Sequence, residues 1–356
     1  MNILSSLNHK VLKEVRKELK RLLFGEKRRL DLFKSYSSLM AFCALPLLGF
    51  SHSSYAINIS TSIPPLAGMI APLLSEEDHL EVILKPGASP HGFQLKPSDL
   101  KTLQQSDLVL WVGSPVDSWM QKPLSNLKGN ELSIQALVGI EELPIRQGGL
   151  WEKKGHQHKH SEHADEHEEH EHEIRMDGHL WVSVHNAQRL VLAVSKQLQL
   201  LKPEQAGAIE QRTQAWLLQL ADTDRQIVNQ LQPVKEVPFM VLHDAFQYFE
   251  HRYDLNGIGS IQLNPSVSPS LKRVAELREK IKQGDVRCVF KEPQFPAKRV
   301  LAVTKGLDVQ VGSLDPIGLV SKDYQQKNDA DYLPYDVFLK QLANQFYDCL
   351  ARPSAQ

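Results

Sequence analysis

Asp107-Leu108-Val109-Leu110-Trp111-Val112-Gly113 is an unbroken apolar run closed at either end by a turn-forming residue. A strand with one face in water alternates apolar and polar positions. A strand with no polar position has to be covered on both faces, as in a parallel sheet flanked by helices. The surrounding chain supplies the other parts of such a sheet. Ile57 to Ser60 and Leu80 to Leu84 read as strands, while Pro64-Pro65-Leu66 and Pro97-Ser98-Asp99-Leu100 open helices with proline in the first turn, where its missing N–H is not needed. The alternation returns later, with strands at Val237 to Leu242, Asp285 to Phe290 and Val309 to Gly312 and helices at Asp244 to Phe249, Pro269 to Lys282 and Tyr335 to Leu350. The expected fold class is α/β, in two lobes, each a mainly parallel sheet flanked by helices.

Between these halves the spacing predicts a helix over Leu180 to Leu201. A second follows from Pro203 to Leu231, with Ile209, Trp216, Leu217, Leu220, Ile227 and Leu231 on one side. At 1.5 Å per residue the second would run roughly 40 Å, the span of a domain. It reads as one long rigid helix joining the lobes, packing within a single lobe being the other reading. The expected organisation is a leader over 1–56, a first lobe over 57–202, a linking helix over 203–231 and a second lobe over 232–356.

The leader rests on an apolar stretch from Leu39 to Phe50, followed by Ser54-Tyr55-Ala56, a small-x-small cleavage site. That is the pattern of a secretory signal peptide cleaved after Ala56. The basic segment from Met1 to Lys34 is longer than export needs, so it is either an extended leader or follows a start codon placed too early. Phe42 before Cys43 does not fit a lipoprotein site. Ten Lys/Arg and four Asp/Glu leave with the leader, taking the formal charge from −1 to −7. A mildly acidic exported chain gives no nucleic-acid footprint. The two remaining cysteines, Cys288 and Cys349, read as a disulfide in an oxidising compartment, two buried thiols being the alternative. A bridge closing a loop of about 60 residues contributes about 4 kcal/mol in the chain-entropy model.

Within the first lobe a run from His156 to Glu173 interleaves His156, His158, His160, His163, His167, His170 and His172 with acids. So little of it can be buried that a solvated, mobile loop over about 152–175 is expected. Neutral imidazole beside carboxylate is a donor set for zinc and other borderline divalent metals, which makes the loop an accessory metal collector. The bland reading is a charged linker.

Three other histidines occupy positions where this architecture presents ligands. His91 and His243 follow the carboxyl ends of predicted strands, one in each lobe, and His179 opens a helix beyond the mobile loop. The crevice outside strand carboxyl ends is where open α/β sheets bind ligands. A metal site in the inter-lobe cleft is therefore expected. His185 and His251 read as surface or supporting residues, Trp111 and Trp181 as core or pocket wall, and Glu292 as either a carboxylate orienting a metal ligand or a loop residue.

Five segments carry a resemblance: Gly87-Ala88-Ser89-Pro90-His91, Asp177-Gly178-His179-Leu180-Trp181, His243-Asp244-Ala245-Phe246-Gln247-Tyr248-Phe249, Glu292-Pro293-Gln294-Phe295 and Leu314-Asp315-Pro316-Ile317-Gly318. In this order they resemble the substrate-binding proteins of bacterial ABC transporters for high-affinity zinc uptake. The resemblance implies that His91, His179 and His243 bind Zn(II) as the transported ligand, with Asp315 approaching the same site. It implies a periplasmic, monomeric receptor that is not an enzyme, with an inner-membrane permease and its cytoplasmic ATPase as partners. The chain departs from the family at Gly178 and Val184, often proline, and at Pro90, where some members have a glutamate donor. Asp315 or a water is left as the fourth donor. His243 stands where related manganese receptors carry a carboxylate, which favours zinc, since harder oxygen donors suit manganese. A manganese or other divalent-metal receptor, a secreted zinc hydrolase and a metal-stabilised adhesin remain the alternative functions. The hydrolase would need an open coordination position and a general base, and no His-Glu-x-x-His helix is present.

Overall fold

The computed structural model describes residues 55–127, 129–151, 175–262, 265 and 267–352. The predicted leader up to residue 54 and the histidine-rich run lie outside the described residues. Ile57 is the first buried side chain, and its N–H donates to Asp78 Oδ1 at 3.2 Å.

The first sheet contains β1 (Asn58–Thr61), β2 (His79–Val82), β3 (Leu108–Trp111) and β4 (Glu131–Ser133), all parallel, in the spatial order β2-β1-β3-β4. Helices α1 (Pro64–Ile70) and α2 (Pro97–Gln105) make its connections. Two helices follow, α3 (Val184–Leu201) and the 26-residue α4 (Ala206–Leu231). The second sheet contains β5 (Phe239–Val241), β6 (Gly257–Ser260), β7 (Cys288–Lys291) and β8 (Gln310–Ser313), again all parallel and in the corresponding order β6-β5-β7-β8. Around it lie α5 (Gln247–Tyr253), α6 (Leu271–Lys282), α7 (Lys298–Thr304), α8 (Lys322–Asn328) and α9 (Tyr335–Leu350).

The apolar strands are buried on both faces, as their sequence requires. In β3, Leu108 and Leu110 enter the main core while Val109 joins a separate cluster with Ile83, Leu103 and Met120. In β5 and β7, Phe239, Val241, Cys288 and Phe290 face the main core while Met240 and Val289 face a cluster with Leu277 and Val303. That main core is continuous through both lobes, from Ile57 and Leu66 to Phe346 and Leu350. The buried stripe of α4, Ile209, Thr213, Trp216, Leu220, Thr223, Ile227 and Leu231, lies at spacings of three or four residues, so one face of this helix runs along the junction. Trp216 Nε1 donates to the Met69 carbonyl at 2.8 Å. A shared core resists relative movement of the two sheets, because sliding would open packed apolar contacts along the whole of α4. Cys288 and Cys349 form a disulfide between β7 and α9, with Cα atoms 6.2 Å apart.

The stretch before the histidine-rich run crosses from the first sheet to the second. Leu150 pairs with Gly259 beside β6, and Ser260 N–H donates to the Leu150 carbonyl at 3.2 Å. A Cβ at Gly259 would lie 2.5 Å from that carbonyl oxygen, so glycine is what admits the strap. Pro144 and Met176 bridge antiparallel, bringing the chain back to the motif of His179.

Candidate metal centre

Each of the three histidines is delivered by an irregular segment, two of them following the carboxyl ends of strands. His91 lies in the short 3₁₀ turn Pro90–Gly92 after β2; its N–H donates to Ser89 Oγ at 3.3 Å, and Trp119 Nε1 anchors the turn through the Pro90 carbonyl at 2.9 Å. His243 follows β5 directly. His179, expected to open a helix, instead precedes a 3₁₀ turn, Leu180–Val182, and α3 begins only after Ser183, whose Oγ accepts from Asn186 N–H. The serine hydroxyl takes over an unpaired helix-end donor there, which moves the start of α3 past His179.

The rings converge. His91 Nε2 and His179 Nε2 are 3.1 Å apart, the three ring centroids are 5.2–5.4 Å apart, and one ligand nitrogen from each histidine lies within 4.8 Å of the others. Donors at about 2.0–2.1 Å from a tetrahedral zinc stand about 3.3 Å from one another, so the His91–His179 separation is close to one edge of such a polyhedron. Among the described residues these are the only His, Cys, Asp or Glu side chains grouped this way.

Two carboxylates set the tautomers. Asp177 Oδ1 lies 2.6 Å from His179 Nδ1 and also accepts His179 N–H at 3.0 Å. Glu292 Oε1 lies 2.6 Å from His243 Nδ1. A carboxylate accepts, so in the neutral rings Nδ1 carries the proton and Nε2 presents its lone pair inward. His243 Nε2 is buried and has no hydrogen-bond partner in the protein. Burial and the neighbouring His179 and His243 hold His91 well below the ordinary imidazole range, so it is neutral near pH 7. Burial pulls His179 down, but the charge and hydrogen bond of Asp177 outweigh it and leave the ring above its ordinary value. Of the two readings the sequence offers for Glu292, it is the one that orients a histidine, here His243; Asp177 lies in the motif of His179, where an Asp two residues before a turn is an Asx-turn signal. Substituting Glu292 by Gln, which can turn a donor toward Nδ1, should weaken zinc binding by about 10–100-fold in a chelator competition. Unchanged affinity would mean the pair does not orient His243.

Asp315, named beside a water as the fourth donor, has both carboxylate oxygens hydrogen-bonded. It accepts N–H bonds from Ile317 and Gly318 at 3.1 Å and Leu319 at 2.6 Å, and takes Gln294 Nε2 at 2.7 Å. These tie its carboxylate to the turn after β8, and it is not among the grouped ligands. His185 and His251 are on the surface, bonded to the Gly139 carbonyl and to Glu141. Trp181 walls the cavity, its Nε1 on the Pro316 carbonyl at 2.6 Å, whereas Trp111 is not part of the lining. The space enclosed is about 10 Å³, room for one water-sized sphere. A monatomic ion fits there.

The family model described as zinc-uptake complex component A, periplasmic, matches residues 59–335. The chain belongs to that family. Its relatives in the zinc-uptake component A family include the high-affinity zinc uptake system protein ZnuA of Yersinia pestis, 32% identical over 82% of this chain and 91% of that protein. The protein of the same name from Brucella suis is 31% identical over 90% and 98%. Among solved structures, the periplasmic zinc binding protein TroA from Treponema pallidum superposes with a TM-score of 0.67 at 23% identity, covering 84% of this chain and 100% of that one. The two-lobe, helix-linked architecture of the component A family is thus the fold found here.

Proposed function

We propose that the chain is a periplasmic zinc receptor that captures Zn(II) between its lobes and hands it to an inner-membrane ABC permease driven by a cytoplasmic ATPase. The observation that carries the reading is the convergence of three imidazoles, two with their inward lone pairs held by carboxylates, on a space the size of one ion. Three nitrogen donors and one open position suit zinc, whereas manganese prefers more oxygen. Binding here is capture: the ion exchanges most of its hydration shell for three fixed donors. The relatives named as zinc-uptake proteins support the same ligand.

The finer parts of the reading belong to it as well. His91, His179 and His243 are the metal ligands. The leader over 1–56 exports the chain and is removed after Ala56. The lobes divide at about 202 and 231, the receptor acts as a monomer, and the histidine-rich segment collects zinc as an accessory. Competitive titration of residues 57–356, with and without residues 152–175, against a calibrated chelator tests the core of this. The expected result is one tight zinc site in both forms and manganese bound far more weakly. Loss of tight binding together with the segment would refute the three-histidine site.

A further inference from the structure

The oxygen side of the cavity is made by the turn Glu292–Phe295 after β7, closed by Phe295 N–H donating to the Glu292 carbonyl at 3.2 Å. Two of its side-chain oxygens, Glu292 Oε2 and Gln294 Oε1, are buried and without a hydrogen-bond partner in the protein, and both residues line the cavity with the three histidines. Their orientations are fixed from behind. Glu292 is held through Oε1 by His243 Nδ1. Gln294 is held through Nε2 by Asp315 Oδ1, which already accepts two backbone N–H groups and can therefore receive only the NH₂ branch of the amide. The carbonyl branch is left to the cavity.

Both orphaned atoms are acceptors, and buried acceptors call for a donor. A zinc ion on three imidazoles leaves one coordination position. Pro90 offers no side-chain oxygen there, and Asp315 is committed elsewhere. A water on zinc has two O–H groups, and the ion makes both of them stronger donors. We propose that Glu292 Oε2 and Gln294 Oε1 accept the two hydrogens of the water that completes the zinc coordination, making Gln294 a positioning residue of the site. Asp315 then acts at one remove, by choosing which end of the Gln294 amide faces the metal. An acceptor-lined position also disfavours an anion as fourth ligand, because its lone pairs would meet two oxygens with no proton between them.

This inference rests on the zinc-receptor reading, and Co(II) serves as a coloured probe of the same site. Gln294→Met removes both amide functions at similar length. In the parent, the Co(II) visible spectrum should be insensitive to thiocyanate. Gln294→Met should bind zinc about tenfold more weakly, and its Co(II) spectrum should change as thiocyanate is added. A Gln294→Met protein indistinguishable from the parent in both assays overturns the inference and leaves the receptor reading intact. A parent that bound neither zinc nor Co(II) tightly would overturn the receptor reading itself. Should the variant not fold, a zinc-loaded crystal structure of the parent decides: a water within hydrogen-bonding distance of both oxygens is expected, and a carboxylate or amide oxygen directly on zinc refutes it.

Discussion

His179→Ala should leave a folded protein whose zinc affinity is reduced by more than about 100-fold. The reasoning is comparative. Losing a partner that merely orients a ligand costs 10–100-fold, and this change removes the ligand itself, the one whose Nε2 stands 3.1 Å from that of His91. Backbone support at the site survives, since Asp177 Oδ1 accepts the residue 179 N–H whatever the side chain. His185→Ala and His251→Ala, on the exposed face, are the matched controls and should bind zinc as the parent does. The pH dependence should change too. A protonated imidazole cannot bind metal, so affinity falls as pH drops. Because Asp177 holds His179 above the ordinary imidazole value, proton competition at this ligand begins on the neutral side of 6.5, while His91, held well below, does not compete there. Removing His179 should therefore flatten the loss of affinity between pH 7.5 and 6. A decrease under threefold in chelator competition at pH 7.5 would exclude His179 as a ligand.

Which parts of this molecule could be read in advance follows from where burial leaves a pattern. The run around β3 was legible because a strand covered on both faces has no polar position. The long helix was legible through its apolar periodicity, although Thr213 and Thr223 complete its buried stripe and carry no hydrophobic signal; Thr213 instead bonds Ser195 Oγ at 2.8 Å. The strands β4 and β6 were missed. The first has three residues and sits at a sheet edge, and the second, Gly257-Ile258-Gly259-Ser260, owes its glycines to close neighbours and not to strand propensity. A Cβ at Gly257 would lie 2.1 Å from Glu250 Oε2. At the site His91 and His243 stood out by their places after strands, His179 by its place before a predicted helix, and all three by the family likeness. Their carboxylate partners were harder to see, since Glu292 lies 49 residues from His243 and only the β5–β7 pairing brings them together. The choice between Asp315 and a water as fourth donor stayed open in the sequence for the same reason: its three N–H partners are local, but how the turn uses its carboxylate shows only in three dimensions.

The strap between the sheets had no sequence signal, and at its centre one arginine bridges two acids of the second lobe. Arg146 Nε donates to Asp244 Oδ2 at 2.9 Å and Nη2 reaches Oδ1; toward Glu250, Nη1 donates to Oε2 at 2.6 Å and Nη2 to Oε1 at 3.1 Å. The Trp151 ring covers the guanidinium, whose carbon is 3.6 Å from its centroid. Burial raises Glu250 above the usual carboxylate range despite the pull of Arg146. Arg146→Met keeps the length and removes the charge, leaving two acids side by side in a largely dry place. Breaking a buried pair from one side costs about 3–5 kcal/mol, which for a protein of this size lowers Tm by roughly 10 °C. The sign of the pH dependence is fixed by the same geometry. With the guanidinium gone, the folded-state pKa of Glu250 rises further above its unfolded value, so the folded form binds the proton more tightly and stability is lost as pH rises. The gap in Tm between variant and parent should therefore be wider at pH 8 than at pH 5, and the added change Glu250→Gln should recover part of it at pH 8. Zinc affinity should fall as well, because Asp244 adjoins His243 and Tyr248, on the same helix as Glu250, holds the Asp177 carbonyl at 2.7 Å through its hydroxyl. Equal melting temperatures at both pH values would show that the strap is held by its backbone pairing at Leu150 and that the ion pairs contribute nothing to it.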